Sequence, residues 1–488
     1  MSRTVTLSAP NFGDEKALLP FLHEESTSAG NFTQLIGPFS SYDRHRGTNG
    51  DWIVRYTLDT YGLNWLFNPV YRRLLGGSSG LITRLIPPQP ISRDSLRLIS
   101  LMFWVTAVIA YCGTLLGQTL AFAAPTLHAG ALAQTLSLGG TRIDVLFALG
   151  LARHADQRGR SRVLNWALLL AIGGTVLAAL SANIVMLTIC EIIAKAGATT
   201  ATLLIAVVIT ESVEQNARAW SLAFLVIGTS IGTGLCAILV AGLSLNQQSW
   251  RILYLLALLG TPILFTLRRL PDTTRFLSHP QPLAFRELRS KRHRGRLILI
   301  CLAAAMINIF YIPQSQLRNQ FLRFDQHLPS WQISLFTIGT NLPGAIGLAA
   351  GSRQAEVRGR RFIAAFGLAG GGLLLGLAFL SSGTPLFIFS ALGAMVGTAA
   401  VPAMAVFGPE LFPTRLRSGA NAVATVASRV GSVVGLIAVG IAASNGAGYG
   451  APIATLAIFP IGLALIVWRR FPETKGETLE DINPEDRT

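Results

Sequence analysis

The sequence predicts an all-α membrane protein with twelve transmembrane helices in two six-helix bundles and both termini in the cytoplasm. Three observations lead there: too few charges for a water-exposed surface, apolar runs long enough to cross a bilayer, and local patterns that recur about 200 residues apart. Of the 488 residues, 51% are hydrophobic and 13% charged, with mean hydropathy +0.50. Soluble domains carry about 25% charged residues, so most of this surface does not meet water.

Residues 1–97 hold ten Lys/Arg and eight Asp/Glu and read as a cytoplasmic extension that is partly disordered or membrane-associated. Within it, the aromatic-rich stretch Asp51–Leu75 is expected either as amphipathic helices on the membrane or as a loose tail. Apolar runs follow at 99–123, 133–152, 163–182, 184–210, 217–243 and 250–268, then at 296–314, 332–351, 362–381, 384–408, 419–444 and 450–468. About 20 apolar residues cross the hydrocarbon. The expected organisation is therefore a first bundle over 98–270, a basic linker over 271–295, a second bundle over 296–470 and a cytoplasmic tail over 471–488.

The net charge of +16 raises the question of a nucleic-acid partner, which its distribution excludes. Twenty Lys/Arg fall in alternate connections, including Arg153, Arg158, Arg160, Arg353 and Arg358; the opposite connections hold three, Arg251, Arg318 and Arg323. That asymmetry is what orientation in a membrane requires and places both termini in the cytoplasm. The four cysteines lie in apolar runs without metal-ligand spacing, and the seven histidines lie outside the span interiors. Neither a metal nor a cofactor is expected. No nucleotide-binding loop of the G-x-x-x-x-G-K-[ST] type occurs.

The second half echoes the first. Asp156-Gln157-Arg158-Gly159-Arg160 returns as Glu356-Val357-Arg358-Gly359-Arg360, Glu211 and Arg218 return as Glu410 and Arg417, and Pro271-Asp272-Thr273-Thr274 returns as Pro472-Glu473-Thr474. Parallel repeats imply two similar bundles with a substrate site between them near the membrane midplane. In each short loop the glycine permits a tight turn, and the acidic residue sits where a helix N-terminus or an arginine satisfies it. Such contacts form a latch that holds one state and breaks in the other.

These motifs resemble those of the major facilitator superfamily. Gly150–Arg162 (GLARHADQRGRSR) and Gly351–Arg361 (GSRQAEVRGRR) are similar to its two loop signatures. Pro409–Gly419 (PELFPTRLRSG), Pro472–Ile482 (PETKGETLEDI) and Pro271–Leu277 (PDTTRFL) are similar to the branch of sugar porters and organic-ion transporters. The resemblance implies a twelve-helix secondary transporter in which Glu211, Arg218, Glu410 and Arg417 join the loop motifs in cytoplasmic salt bridges. There are departures. The seventh span reads Leu302-Ala303-Ala304-Ala305-Met306-Ile307-Asn308, keeping only Asn308 of the sugar-porter pattern; Ala405 stands where a Trp is usual, and Glu191 where an Arg is usual. Ala427-Ser428-Arg429-Val430-Gly431 is closer to organic-ion transporters, whereas Gly228–Gly232 fits close helix packing.

Ionisable groups inside spans are costly and face polar cavities. Arg142, Asp144, Glu191, Lys195 and Arg429 are the candidates here. Glu191 and Lys195 are spaced to neutralise each other on one face; Asp144 or Glu191 is a candidate proton carrier, Arg142 or Arg429 a candidate anion ligand. Trp104, Tyr111, Gln118, Asn308, Tyr311, Gln314 and Asn341 are polar or aromatic residues available to line a cavity. The expectation is a monomeric, proton-coupled secondary transporter of a small polar organic solute (organic acid, ion or sugar-like) in the plasma membrane, or the inner membrane of a bacterium. An exporter of amphiphilic compounds and a transporter-like sensor are the alternatives. No catalytic constellation points to an enzyme.

Overall fold

The computed structural model describes residues 2–7, 39–46, 52–58, 93–213, 218–244, 248–268, 290–413 and 416–473. The apolar runs are helices because only a helix satisfies its own backbone in hydrocarbon. The first five spans are Arg93–Thr126; Ala131–Gly140 continued through the 3-10 turn Thr141–Ile143 into Asp144–Arg158; Arg160–Ala178; Ile184–Ser212; and Arg218–Val240. The sixth joins Ser249–Leu255 to Thr261–Leu267 through the 3-10 stretch Leu256–Gly260. In the second half, the seventh to eleventh spans are Lys291–Gln316, Ser330–Arg358, Arg360–Leu380, Gly383–Glu410 and Arg417–Ala442, and the twelfth combines Gly450–Thr455 with Ile458–Arg470.

Among the described residues, ten of these spans are long and apolar enough to cross a membrane by length and composition. The second, interrupted by the charged residues Arg142 and Asp144, is not among them, and the fifth is represented by its described stretch Phe224–Val240. The N-terminal region departs from expectation. Strands β1 (Ser2–Leu7), β2 (Phe39–Arg46) and β3 (Trp52–Leu58) form an antiparallel sheet in the order β1-β3-β2. The start of Asp51–Leu75 is thus a strand, as its β-branched and aromatic residues favour, and not an amphipathic helix. The rest of that stretch, and the linker from 269 to 289, lie outside the described residues.

The chain forms two compact units. One comprises Met1–Thr106 and Leu204–Gly228; within it Phe103 stacks on Phe224. The other comprises Ala107–Leu203 and Thr229–Thr488 and holds most of both sequence halves. Its largest core cluster draws on both halves at the ends opposite the basic loops, joining Leu116 and Leu120 of the first span, Trp250 of the sixth, Phe310 and Phe321 near the end of the seventh, and Phe336 of the eighth. A second cluster, around Ile363, Phe407, Phe412 and Phe471, belongs to the second half alone and lies at its basic end. Gly232 packs the fifth span directly on the backbone of Ala107, so the glycine run has the packing role expected of it.

The duplicated loop motif has the same geometry in both copies. Gly159 has φ 102° and ψ 135°, Gly359 φ 104° and ψ 140°, and each ends one span and opens the next. Only glycine adopts this backbone at low cost. In the second copy a Cβ on Gly359 would also meet the Glu473 carboxylate at 2.8 Å. Gly359→Ala is therefore expected to destabilise the second half by about 1–3 kcal/mol, read as a lower unfolding midpoint of the purified protein in detergent.

Candidate functional site

The second, fourth and eleventh spans bring the intramembrane charges together. Asp144 is 14 residues into the 28-residue second span and Arg429 is 13 into the eleventh, so both stand near the membrane midplane at a rise of about 1.5 Å per residue. The Arg429 guanidinium lies 3.8 Å from Asp144 Oδ2, and this ion pair joins the two sequence halves. Thr199 of the fourth span donates to the same Oδ2 at 2.7 Å. Asp144 is buried, and its Oδ1 has no hydrogen-bond partner.

Lys195, also buried, donates through Nζ to Thr141 Oγ1 at 3.1 Å. It reaches across to the 3-10 break and leaves Glu191, one turn earlier, fully buried. No hydrogen bond of ordinary length closes on either Glu191 oxygen; the groups that face it are Lys195 and the Tyr254 hydroxyl. Arg142 lies within electrostatic reach of Arg429, Asp144 and Lys195, and its Nε and one terminal nitrogen are buried without partners. All five predicted ionisable residues thus form one cluster of three cations and two carboxylates. It holds unpartnered donors on Arg142 and unpartnered carboxylate oxygens on Asp144 and Glu191, groups able to take an anion and a proton.

A cavity of about 680 Å³ lies inside the second half, and none of the five cluster residues lines it. Its walls come from the seventh to eleventh spans and Phe471 and are mostly apolar; Tyr311, Gln314 and Asn341 line it as predicted. Asn308 does not: its amide donates to Ala304 O at 2.8 Å. Tyr111 donates to Leu253 O at 2.6 Å and Gln118 accepts from Asn319 at 3.0 Å, while Trp104 is 55% exposed on the outer surface of its helix. The site expected between the halves is therefore divided, with charges at the junction and the described cavity in one half.

Sequence reasoning missed two residues. Arg318, two residues beyond the seventh span, was counted with the connections, yet it lines the cavity with a buried, unpartnered Nε. Burial pulls its guanidinium down to about 10, leaving it cationic at neutral pH. Its place among only three basic residues on the poorly charged side was the available signal. The second is Glu473, whose carboxylate accepts from Arg360 N at 2.9 Å and Arg361 N at 3.1 Å and so caps the ninth span. Glu356 pairs with Arg360 at 3.0 Å within the same loop. The side chains of Asp156, Glu211, Arg218, Glu410 and Arg417 lie outside the described residues.

Two adjoining family matches cover the helical region: "Major Facilitator Superfamily" over residues 98–321 and "Sugar (and other) transporter" over 306–485. The chain belongs to the major facilitator superfamily. It is accordingly an integral multi-pass membrane protein and a transporter in type, not an enzyme. It is 25% identical over 263 residues to the cis,cis-muconate transport protein of Acinetobacter baylyi, a match covering 48% of this chain and 60% of that protein's length. Among solved structures, a bacterial homologue of the human lysosomal transporter Spinster, inward-facing and unoccupied, superposes with TM-score 0.66 at 14% identity, covering 81% of this chain and 98% of that one. The xylose transporter XylE from E. coli, in a partially occluded inward-open conformation, gives TM-score 0.64 at 17% identity, covering 79% and 100%. The nucleoside transporter NupG gives 0.63 at 16%, covering 77% and 100%. At these identities the likeness is one of fold.

If the Asp144–Arg429 pair couples the halves of this facilitator, Asp144→Asn and Arg429→Gln are non-additive. A double-mutant cycle on unfolding in detergent is expected to give a coupling energy of about 0.5–3 kcal/mol.

Proposed function

We propose that the protein is a proton-coupled secondary transporter of a small organic anion, working by alternating access as a monomer in the plasma membrane, or the inner membrane if bacterial. The observation that carries this reading is the ion pair between Asp144 and Arg429, which ties the two halves together at mid-membrane. Protonation of Asp144 removes the charge that holds Arg429. The halves then lose that attraction while Arg142 and Lys195 still face Arg429 with like charge, and Arg429 is released to a negatively charged solute. A ligand or proton shifts such an equilibrium only through a different affinity for its two states, and a buried pair that exists in one of them supplies that difference.

The charge balance supports an anion. Three cations against two carboxylates leave one positive charge uncompensated in hydrocarbon, which a bound carboxylate neutralises. The cis,cis-muconate transport protein, whose name specifies an organic-acid anion, is the relative that accords with this chemistry. The basic loops, on the side of positive-inside orientation, are taken as cytoplasmic. The core shared by both halves lies at the opposite ends, so the arrangement corresponds to a transporter sealed outside.

In vesicles with an imposed pH gradient, Asp144→Asn is expected to abolish uphill accumulation of labelled cis,cis-muconate while preserving exchange of solute across the membrane. Retained accumulation would reject the proton role of Asp144. Absence of any solute movement by wild-type protein, with any of the organic acids tried, would favour the sensor reading.

A further inference from the structure

We infer that the cavity in the second half is a binding site for an organic acid with a flat or extended apolar body, its carboxylate anchored by Arg318. The inference rests on the transporter reading and names its class of solute. Arg318 is the one charged residue in the described wall. No carboxylate lines the cavity to neutralise it, and its Nε is buried with no partner. A guanidinium in that situation presents a planar donor fork, the geometry that a carboxylate matches with two parallel bonds.

The rest of the wall selects the body. Leu368, Leu375, Phe379, Leu386, Phe336 and Phe407 supply broad apolar contact. The hydroxyls of Thr340 and Thr398 are occupied by carbonyls: Thr340 donates to Phe336 O at 2.9 Å, and Thr398 to Gly344 O at 2.7 Å. Gln314, Asn341 and Asn421 stand in the same wall, so a sugar would find partners for some of its hydroxyls. It would leave the Arg318 charge without a counterion and press its other hydroxyls on apolar surface, at about 1–3 kcal/mol for each buried polar group without a partner. An aromatic or unsaturated acid brings one charged end and a body needing no hydrogen bonds. The Tyr311 hydroxyl, buried and unpartnered in the same wall, offers one further donor along its length. A volume of about 680 Å³ is in the range of small-molecule sites, about 300–1,000 Å³.

Arg318 also stands just past the end of the seventh span, on the side where the two halves share a core. An acid entering from the basic side reaches the arginine at the closed end. Arg318 thereby reads the charge of the solute, while the Asp144–Arg429 pair reads the proton.

The test is equilibrium binding of radiolabelled benzoate to the purified full-length protein in detergent, with sorbate (an extended unsaturated monocarboxylate), benzamide and D-xylose as competitors. Sorbate is expected to displace benzoate, and benzamide and D-xylose to fail. Arg318→Gln should weaken benzoate binding about tenfold or more, and Arg318→Lys, which keeps the charge but not the fork, should bind between the two. Ser315→Asp, which leaves the arginine in place but sets a carboxylate one turn away in the same wall, should weaken it similarly, so the result does not hang on one variant's folding. Wild-type affinity in Arg318→Gln, displacement by D-xylose as effective as by sorbate, or no binding to wild type would each overturn the proposal. Binding needs no gradient: arginine-dependent binding without proton-driven accumulation would sink the coupling reading alone, and accumulation with unaltered Arg318→Gln binding would sink this one alone.

Discussion

An ion pair in hydrocarbon is the constraint on which the functional architecture depends. Asp144 and Arg429 come from opposite halves and meet near the middle of their spans. Asp144 is buried and the Arg429 side chain is 26% exposed, so removing Arg429 leaves a buried carboxylate without its counter-charge, which is destabilising. That cost forces the surroundings to serve the pair. Thr199 supplies a hydroxyl to Asp144, Lys195 donates to Thr141 while still facing Glu191 one turn earlier, and the second span breaks into a 3-10 turn beside the cluster. The same cost makes the pair responsive to a proton, since neutralising Asp144 removes the reason for Arg429 to stay.

The ends of the halves are built differently from their middles. On the side away from the basic loops they share apolar packing and specific contacts: Asn319 donates to Gln118, Ser330 donates to Ala241 O, and Arg323 lies over the Phe122 ring. At the basic end of the second half the bracing is internal. Glu473 caps the ninth span, Arg296 donates to Leu411 O, and Phe471 packs into a core of that half alone. A rigid half that makes its own contacts at one end, and shares them at the other, can rock as a body.

Much of this was legible in the sequence, for identifiable reasons. Spans follow from apolar length, and the duplication follows from loop motifs whose glycines share one positive-φ geometry. The five intramembrane charges were found because hydrocarbon makes each of them conspicuous; their convergence was not, because it depends on how three helices rotate about their axes. The i, i+4 spacing of Glu191 and Lys195 suggested a local pair, and the two do face each other; that Lys195 also donates to a hydroxyl on another span was set by tertiary placement. Arg318 was hidden by position, since a basic residue just outside an apolar run reads as topology. Asn308 illustrates the opposite error: a polar residue in a span satisfied by its own helix backbone. The sheet at Ser2–Leu7, Phe39–Arg46 and Trp52–Leu58 was missed because an aromatic-rich polar segment has no period that separates strand from surface helix.

The most direct measurement of the central claim is the distance between the basic ends of the two halves as a function of pH. Nitroxide labels at the exposed positions Arg162 and Ser352, read by pulsed electron paramagnetic resonance in lipid, report it. The account predicts a distance distribution that shifts between two populations as pH is lowered in the wild type and is fixed at one of them in Asp144→Asn. A pH response that persists unchanged in Asp144→Asn would contradict it, because the proton would then act on the halves without passing through this carboxylate.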